Sequence, residues 1–217
     1  TYTYFGLAGR GELSRLVAAA GGLTIEDRRP PEQGHRAYAA ELGLTLGKVP
    51  ILEHGDLKLC QSSAIETYLG DIAPRFADLT PRQKAVDNMF AAVKAEALDV
   101  LNPYVFTAAN RPKAPAECPA LLDRYYGFFE RQIPDGDFVL GLGFPTKADL
   151  VVLQAADAFA PFGAVRLLID QDYDVAAKWP KVRRVADVTA KAPGVREYLE
   201  QSTTFYADPV GLRGAKT

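Results

Sequence analysis

The chain has 217 residues, 48% hydrophobic and 24% charged, and its 25 basic residues against 27 acidic ones leave a net charge of −2. That composition excludes a disordered or fibrous chain, and it excludes the broad basic surface of a duplex nucleic-acid binder. Cys60 and Cys118 form no CxxC, and His35 and His54 are the only histidines, so no ligand set for a metal is expected. No apolar run approaches the roughly 20 residues of a membrane-spanning helix, and no apolar signal core opens the chain. A cytoplasmic protein with neither membrane nor nucleic acid as partner is therefore expected.

In chain order, Tyr2 to Gly6 is short and rich in β-formers and predicts a strand. Arg10 to Ala20 sets Leu13, Leu16, Val17 and Ala20 at helical spacing, with Gly21 and Gly22 as the stop. Thr24 to Arg28 predicts a second short strand. Pro30 and Pro31 interrupt the chain before a short helical stretch at Ala37 to Leu42. Val49 to Glu53 and Leu57 to Cys60, about the turn His54-Gly55-Asp56, read as a hairpin. Pro50 has no backbone N–H, so it belongs at a strand start or edge and leaves the backbone of Val49 for another partner. Ser62 stands at an N-cap position ahead of the helical pattern Ile65, Tyr68, Leu69 and Ile72.

Pro74, Asp78 and Pro81 mark a linker, beyond which every pattern is helical. Pro81 to Ala109 carries a long apolar stripe, Ala116 to Ile133 a second, and Thr146 with Asp149 the form of a capping box. Leu150, Val151, Val152, Leu153, Ala155 and Ala156 cover nearly all faces of the helix opened there, which predicts a buried central helix. Lys178 to Lys191 and Pro193 to Gln201 are further helical stretches. The expected architecture is an α/β domain over residues 1–74 joined to an all-α helical domain over residues 80–217.

Three motifs stand in a fixed order: Thr3-Tyr4-Phe5 with Gly9-Arg10-Gly11-Glu12 and Arg15; Gly47-Lys48-Val49-Pro50-Ile51-Leu52; and Gln61-Ser62-Ser63-Ala64-Ile65 with Tyr68-Leu69. On these, and on the helical half with its Thr146 to Asp149 capping sequence, the chain resembles a cytosolic glutathione transferase, with the tyrosine and the Gln-Ser pair of a sigma-like member. The resemblance implies a thioredoxin-like N-terminal domain, a homodimer, glutathione as co-substrate with no tightly bound cofactor, and a small hydrophobic electrophile as second substrate. The expected activity is conjugation of glutathione to that electrophile. The alternatives are a glutathione-dependent prostaglandin isomerase or peroxidase, or a non-enzymatic ligand carrier.

Glutathione carries a carboxylate at each end and a central thiol that reacts as thiolate, so its site needs anion donors and a group that stabilises sulfur. A serine at a helix start supplies a hydroxyl and N–H groups to a carboxylate; it also simply caps a helix, and both roles fit Ser62. The resemblance places Gln61 and Ser62 at the γ-glutamyl end and Lys48 at the glycyl carboxylate. It also implies a cis bond before Pro50, with Val49 pairing to the cysteinyl backbone beside Gly47. Tyr4 is the expected catalytic residue, donating its hydroxyl to sulfur, with Arg10 as electrostatic support. Alternation along the strand does not separate Tyr4 from Tyr2; the family spacing to Arg10 does. Tyr38 stands in for a tryptophan of sigma-like relatives, Glu41 cannot replace their carboxylate-binding lysine, and Glu96 is the acid nearest the ammonium-binding position of a partner's helix. Phe5, Tyr104 and Phe106, with Phe205, are the expected lining of the hydrophobic subsite.

Overall fold

Four short strands, all from the first 60 residues, form the sheet: β1 (Tyr2–Thr3), β2 (Asp27–Arg28), β3 (Ile51–His54) and β4 (Leu57–Cys60). The computed structural model describes residues 1–44, 46–169 and 173–214. The strand order is β2-β1-β3-β4, with β1 parallel to β2 and antiparallel to β3, and β3 antiparallel to β4. Tyr2 therefore stands opposite both Asp27 and Leu52. The β3–β4 turn holds Gly55 at φ 62°, a left-handed position at which glycine carries no Cβ penalty.

The parallel pairing of β1 and β2 requires a crossover, and helix α1 (Glu12–Gly21) supplies it. It buries Leu13, Leu16, Val17 and Ala20, the stripe legible in the sequence, and stops at Gly22 in the left-handed conformation. Arg10 lies in the turn before this helix rather than in it. After β2, helix α2 (His35–Glu41) leads to the hairpin, and helix α3 (Ser62–Ile72) follows β4 and packs on α1.

Among the described residues all further regular structure is helical. Helix α4 (Pro81–Phe106) opens with Thr80 and Gln83 in a reciprocal capping box and Pro81 in its first turn. It ends three residues short of the expected Ala109, and a tighter helical segment, Ala108–Lys113, links it to α5 (Ala114–Gln132). Helix α6 (Lys147–Asp157) is the expected central helix: residues Lys147 through Ala156 are all buried. Each fully buried leucine or valine in it contributes about 1.5–3 kcal/mol. Its N-terminus is satisfied twice, by Asp149 accepting from Thr146 N at 2.8 Å and by Asp87 of α4 accepting from Ala148 N at 2.8 Å.

The segment after α6 was not expected as helix. It turns through Phe159–Gly163, with a cis bond before Pro161, into α7 (Ala164–Leu168). The stretch expected from Lys178 to Lys191 is two helices, α8 (Val175–Lys178) and α9 (Pro180–Lys191). Trp179 leaves the helical conformation between them, at φ −135° and ψ 68°, because the following Pro180 disfavours helical backbone there. The last helix, α10 (Val195–Gln201), begins two residues after Pro193, at the left-handed Gly194. The end of the expected helical half, residues 215–217, lies outside the described residues.

Hydrogen bonds and ion pairs fasten the sheet half to the helical half. Gln154 of α6 donates to the carbonyl of Gly9 at 2.7 Å, and Gly9 N donates to Ala160 O at 3.1 Å. Glu12 accepts from Tyr198 and from Thr204 Oγ1, binding α1 to the C-terminal segment. Glu66 of α3 and Lys94 of α4 form an ion pair at 2.6 Å in which both side chains are at most 1% exposed.

Candidate functional site

The two tyrosines that alternation could not separate do different things. Tyr2, fully buried, donates its hydroxyl to the carbonyl of Gly11 at 2.8 Å and so holds the turn before α1. Tyr4 instead accepts from the backbone N–H of Arg10 at 3.0 Å and lines a cavity of about 590 Å³. A phenol that accepts an N–H keeps its own hydrogen for another partner. Burial pushes the Tyr4 phenol above its ordinary value of 10, against the Arg10 N–H and the Arg15 and Arg10 charges, so the group is protonated at neutral pH.

The glycines around Tyr4 are there for space. A Cβ at Gly11 would stand 2.2 Å from the Tyr4 ring, and one at Gly9 would stand 2.8 Å from its hydroxyl. Arg15, 1% exposed in its side chain, lies 5.6 Å from the centroids of both Tyr2 and Tyr4. It donates to the carbonyls of Leu7 at 3.0 Å and Phe5 at 3.1 Å and pairs with Glu12 and Asp27. The segment 5–11 is thereby fixed from three sides, by Arg15, Tyr2 and Gln154.

The cavity joins a polar wall to an apolar one. Tyr4, Arg10, Lys48 and His35 line it together with Phe5, Leu7, Val49, Asn102, Phe106, Pro209 and Val210. Arg10 is ion-paired with Asp99 of α4. His35 meets Phe5 edge-on, ring centroids 5.4 Å apart. Lys48 is exposed, the Val49–Pro50 bond is cis, and Val49 has no hydrogen-bond partner among the described residues. Gly47 is held at φ 59° against Arg36.

At the start of α3 the expectation needs correcting. Gln61, not Ser62, occupies the cap position, and Ser62 is the first helical residue with no capping hydrogen bond from its hydroxyl. Gln61 is at φ 74°, the one non-glycine residue with positive φ among those described. Such backbone costs a non-glycine residue of order 1–3 kcal/mol and is found most often at binding sites. The effect is to leave the first N–H groups of an eleven-residue helix, and the Ser62 hydroxyl, without a capping acceptor from this chain.

Other expected residues lie elsewhere. The Tyr38 hydroxyl donates to Glu53 and the Tyr104 hydroxyl to Glu117, and neither ring lines the cavity. Phe205 is fully buried, with its carbonyl accepting from Phe159 N at 3.0 Å. Glu96 is paired with Arg124 at 2.8 Å, while Asp99, three residues on, is the acid that reaches Arg10. Phe5 and Phe106 do line the cavity. Sequence reading missed Asn102, which helical spacing from Phe106 points to, and Pro209 and Val210, for which no local pattern exists. A larger cavity of about 780 Å³ lies beside α7, but its polar groups are committed: Arg166 to the Ala155 and Ala156 carbonyls and Asp157 to Arg183.

The sheet order, the α1 crossover, the cis proline ahead of β3 and the helical remainder define a thioredoxin-like half with a helical half packed on it. Residues 1–71 match the family model for the glutathione S-transferase N-terminal domain. A Dictyostelium discoideum chain that carries the name glutathione S-transferase alpha-2 is 27% identical over 92% of each chain. Among solved structures, the glutathione S-transferase of Ascaris lumbricoides superposes with a TM-score of 0.73 at 21% identity over 93% of this chain and 96% of that one. A monomeric glutathione S-transferase of the hookworm Necator americanus gives 0.74 at 21% identity over 92% and 95%. Residues 1–71 are thus matched to a glutathione S-transferase N-terminal domain, and the chain is similar to glutathione S-transferases over more than nine-tenths of its length.

Proposed function

We propose that the chain is a tyrosine-type, sigma-like glutathione transferase that conjugates glutathione to small hydrophobic electrophiles in the cytoplasm, working as a homodimer without a resident cofactor. The observation that carries this reading is the Tyr4 hydroxyl, protonated, accepting from Arg10 N and facing the cavity with its proton free. That proton is donated to the glutathione sulfur. A hydrogen bond to a charged acceptor contributes about 1.5–3 kcal/mol, which moves a thiol from about 8.5 to near 7. The thiolate then attacks the electrophilic carbon, and the leaving group departs with the bonding pair.

The rest of the tripeptide is assigned by charge and backbone. Lys48 meets the glycyl carboxylate, the backbone of Val49 before cis Pro50 pairs with the cysteinyl residue beside Gly47, and Gln61 with Ser62 receives the γ-glutamyl carboxylate at the positive end of α3. Arg10 adds positive charge near the sulfur, moderated by Asp99. In this reading residues 1–74 bind glutathione, and residues 80–217 give the apolar wall through Phe106 and Val210, facing Phe5. Calorimetric titration with glutathione followed by a conjugation assay with a chlorinated aromatic tests it. Binding with turnover is the expected result; binding without turnover of any electrophile leaves a carrier instead.

A further inference from the structure

From Leu150 to Ala156, helix α6 is apolar at every position but one. Gln154 is fully buried there, and its Nε2 donates to the Gly9 carbonyl at 2.7 Å. A carbonyl only accepts, so the nitrogen end of the amide is the end that faces Gly9. The other end, Oε1, is enclosed without a hydrogen-bond partner, a cost that a leucine at this position would avoid. What the amide contributes is therefore its N–H. The Gly9 carbonyl belongs to the same peptide unit as the Arg10 N–H, which donates to the Tyr4 hydroxyl at 3.0 Å. Amide, peptide and phenol thus stand in one line of donors that ends at the cavity. Resonance couples the two ends of a peptide: accepting a hydrogen bond at oxygen draws charge from nitrogen and makes its N–H a stronger donor. A phenol that accepts from a stronger N–H is in turn a stronger donor. Burial raises the Tyr4 phenol, and the Arg10 N–H is the largest of the influences that oppose it.

The inference rests on the transferase reading, in which the Tyr4 proton goes to the glutathione sulfur. We propose that Gln154 is a positioning residue of that reaction, which acts through the Gly9–Arg10 peptide to strengthen the hydrogen bond from Tyr4 to the thiolate. A peptide and a phenol separate its amide from sulfur, so its influence is carried by polarisation along the line. The loop has other anchors that do not involve Gln154. Gly9 N donates to Ala160 O at 3.1 Å, and Tyr2 donates to Gly11 O at 2.8 Å. Removing the amide therefore leaves the loop held at both glycines and takes away the donor behind the Arg10 N–H.

The test is a double-mutant cycle read on the thiol of bound glutathione by ultraviolet titration of the thiolate. The proteins are wild type, Gln154→Met, Tyr4→Phe and the double variant, with Gln154→Leu in place of Gln154→Met if the latter does not fold. Methionine is unbranched and of similar length but has no donor. Gln154→Met is expected to raise the thiol pKa by about 0.5 unit, roughly a threefold loss of thiolate below that pKa. In the Tyr4→Phe background the same substitution is expected to shift it by less than about 0.1 unit, since the line is already cut at the phenol. In the Tyr4 background, kcat/KM should fall about threefold near pH 6 and meet the wild-type value near pH 9, where the thiol is ionised in both proteins; a merely loosened site would lower it at every pH. No shift in the single variant, or an equal shift in both backgrounds, overturns the role of Gln154 and leaves the transferase reading standing. A wild-type chain that forms no thiolate complex, or a Tyr4→Phe chain whose thiol titrates as in wild type, overturns that reading and this inference together.

Discussion

The Arg10 backbone N–H donates to the Tyr4 hydroxyl at 3.0 Å, and the phenol's own proton has no acceptor among the described residues. Tyr4→Phe removes the donor and keeps the ring that fills the space between Gly9 and Gly11. Turnover is expected to fall roughly ten- to hundredfold, glutathione affinity to change little, and the pKa of bound thiol to rise about one to two units. Ultraviolet titration of the thiolate in the binary complex measures this; an unchanged titration removes Tyr4 from the mechanism.

Gly11 tests the same geometry by steric means. Its backbone φ of −84° suits alanine, so Gly11→Ala acts only through the added Cβ, 2.2 Å from the Tyr4 ring. The ring must shift, at a cost of about 1–3 kcal/mol in stability, and activity should drop with it. Gly143→Ala, where a Cβ meets nothing within 4 Å, is the matched control and should be silent in both melting and conjugation assays.

The buried Glu66–Lys94 pair predicts a double-mutant cycle of characteristic form. Lys94→Met leaves a carboxylate uncompensated at a site where burial already holds Glu66 above its ordinary range, and costs about 3–5 kcal/mol. Adding Glu66→Leu to it should restore most of that loss, since apolar packing commonly replaces a buried pair at little cost. Urea unfolding of the single and double variants reads the coupling; simple additivity of the two losses would mean that the charges do not interact in the fold.

Stability should also rise as solutions are made mildly acidic. Burial pushes Asp149 from the ordinary 3.8 up to about 7, against the hydrogen bonds it accepts from Thr146 and Val139. Between about pH 4 and pH 7 the native state therefore holds a proton that the unfolded chain has released. The free energy of unfolding then falls as pH rises through that window. Glu12 and Glu66, both raised chiefly by burial, act with the same sign. Urea midpoints measured across the window should show the slope, and Asp149→Asn should flatten it.

Much of the sheet half was legible because local rules decide it. The α1 stripe, the Gly22 stop and the Gly55 hairpin each depend on a few adjacent residues. The capping sequence at Thr146 likewise announced a helix that is buried from end to end. The errors fall where distant partners decide. Ser62 has the chemistry of a cap, yet the left-handed Gln61 takes that place, a backbone choice that no side-chain preference predicts. Tyr104 and Asn102 differ by two residues on one helix, and only the direction from which the sheet half docks selects the asparagine. The pairings of Tyr38 with Glu53 and of Glu96 with Arg124 join residues well separated in sequence, so no local pattern announces them. Pro209 and Val210 reach the cavity because Tyr198 and Thr204 clasp Glu12, a tether across most of the chain.

The Gln154 amide on the Gly9 carbonyl ties the orientation of Tyr4 to a helix that comes from the opposite half of the polypeptide. In the proposed reaction, neither piece possesses the required arrangement by itself. A hybrid made by joining this sheet portion to a foreign helical partner would inherit the phenol but not the brace beneath its loop. Its competence would hinge on whether the new partner offers an amide donor at the place where Gln154 stands.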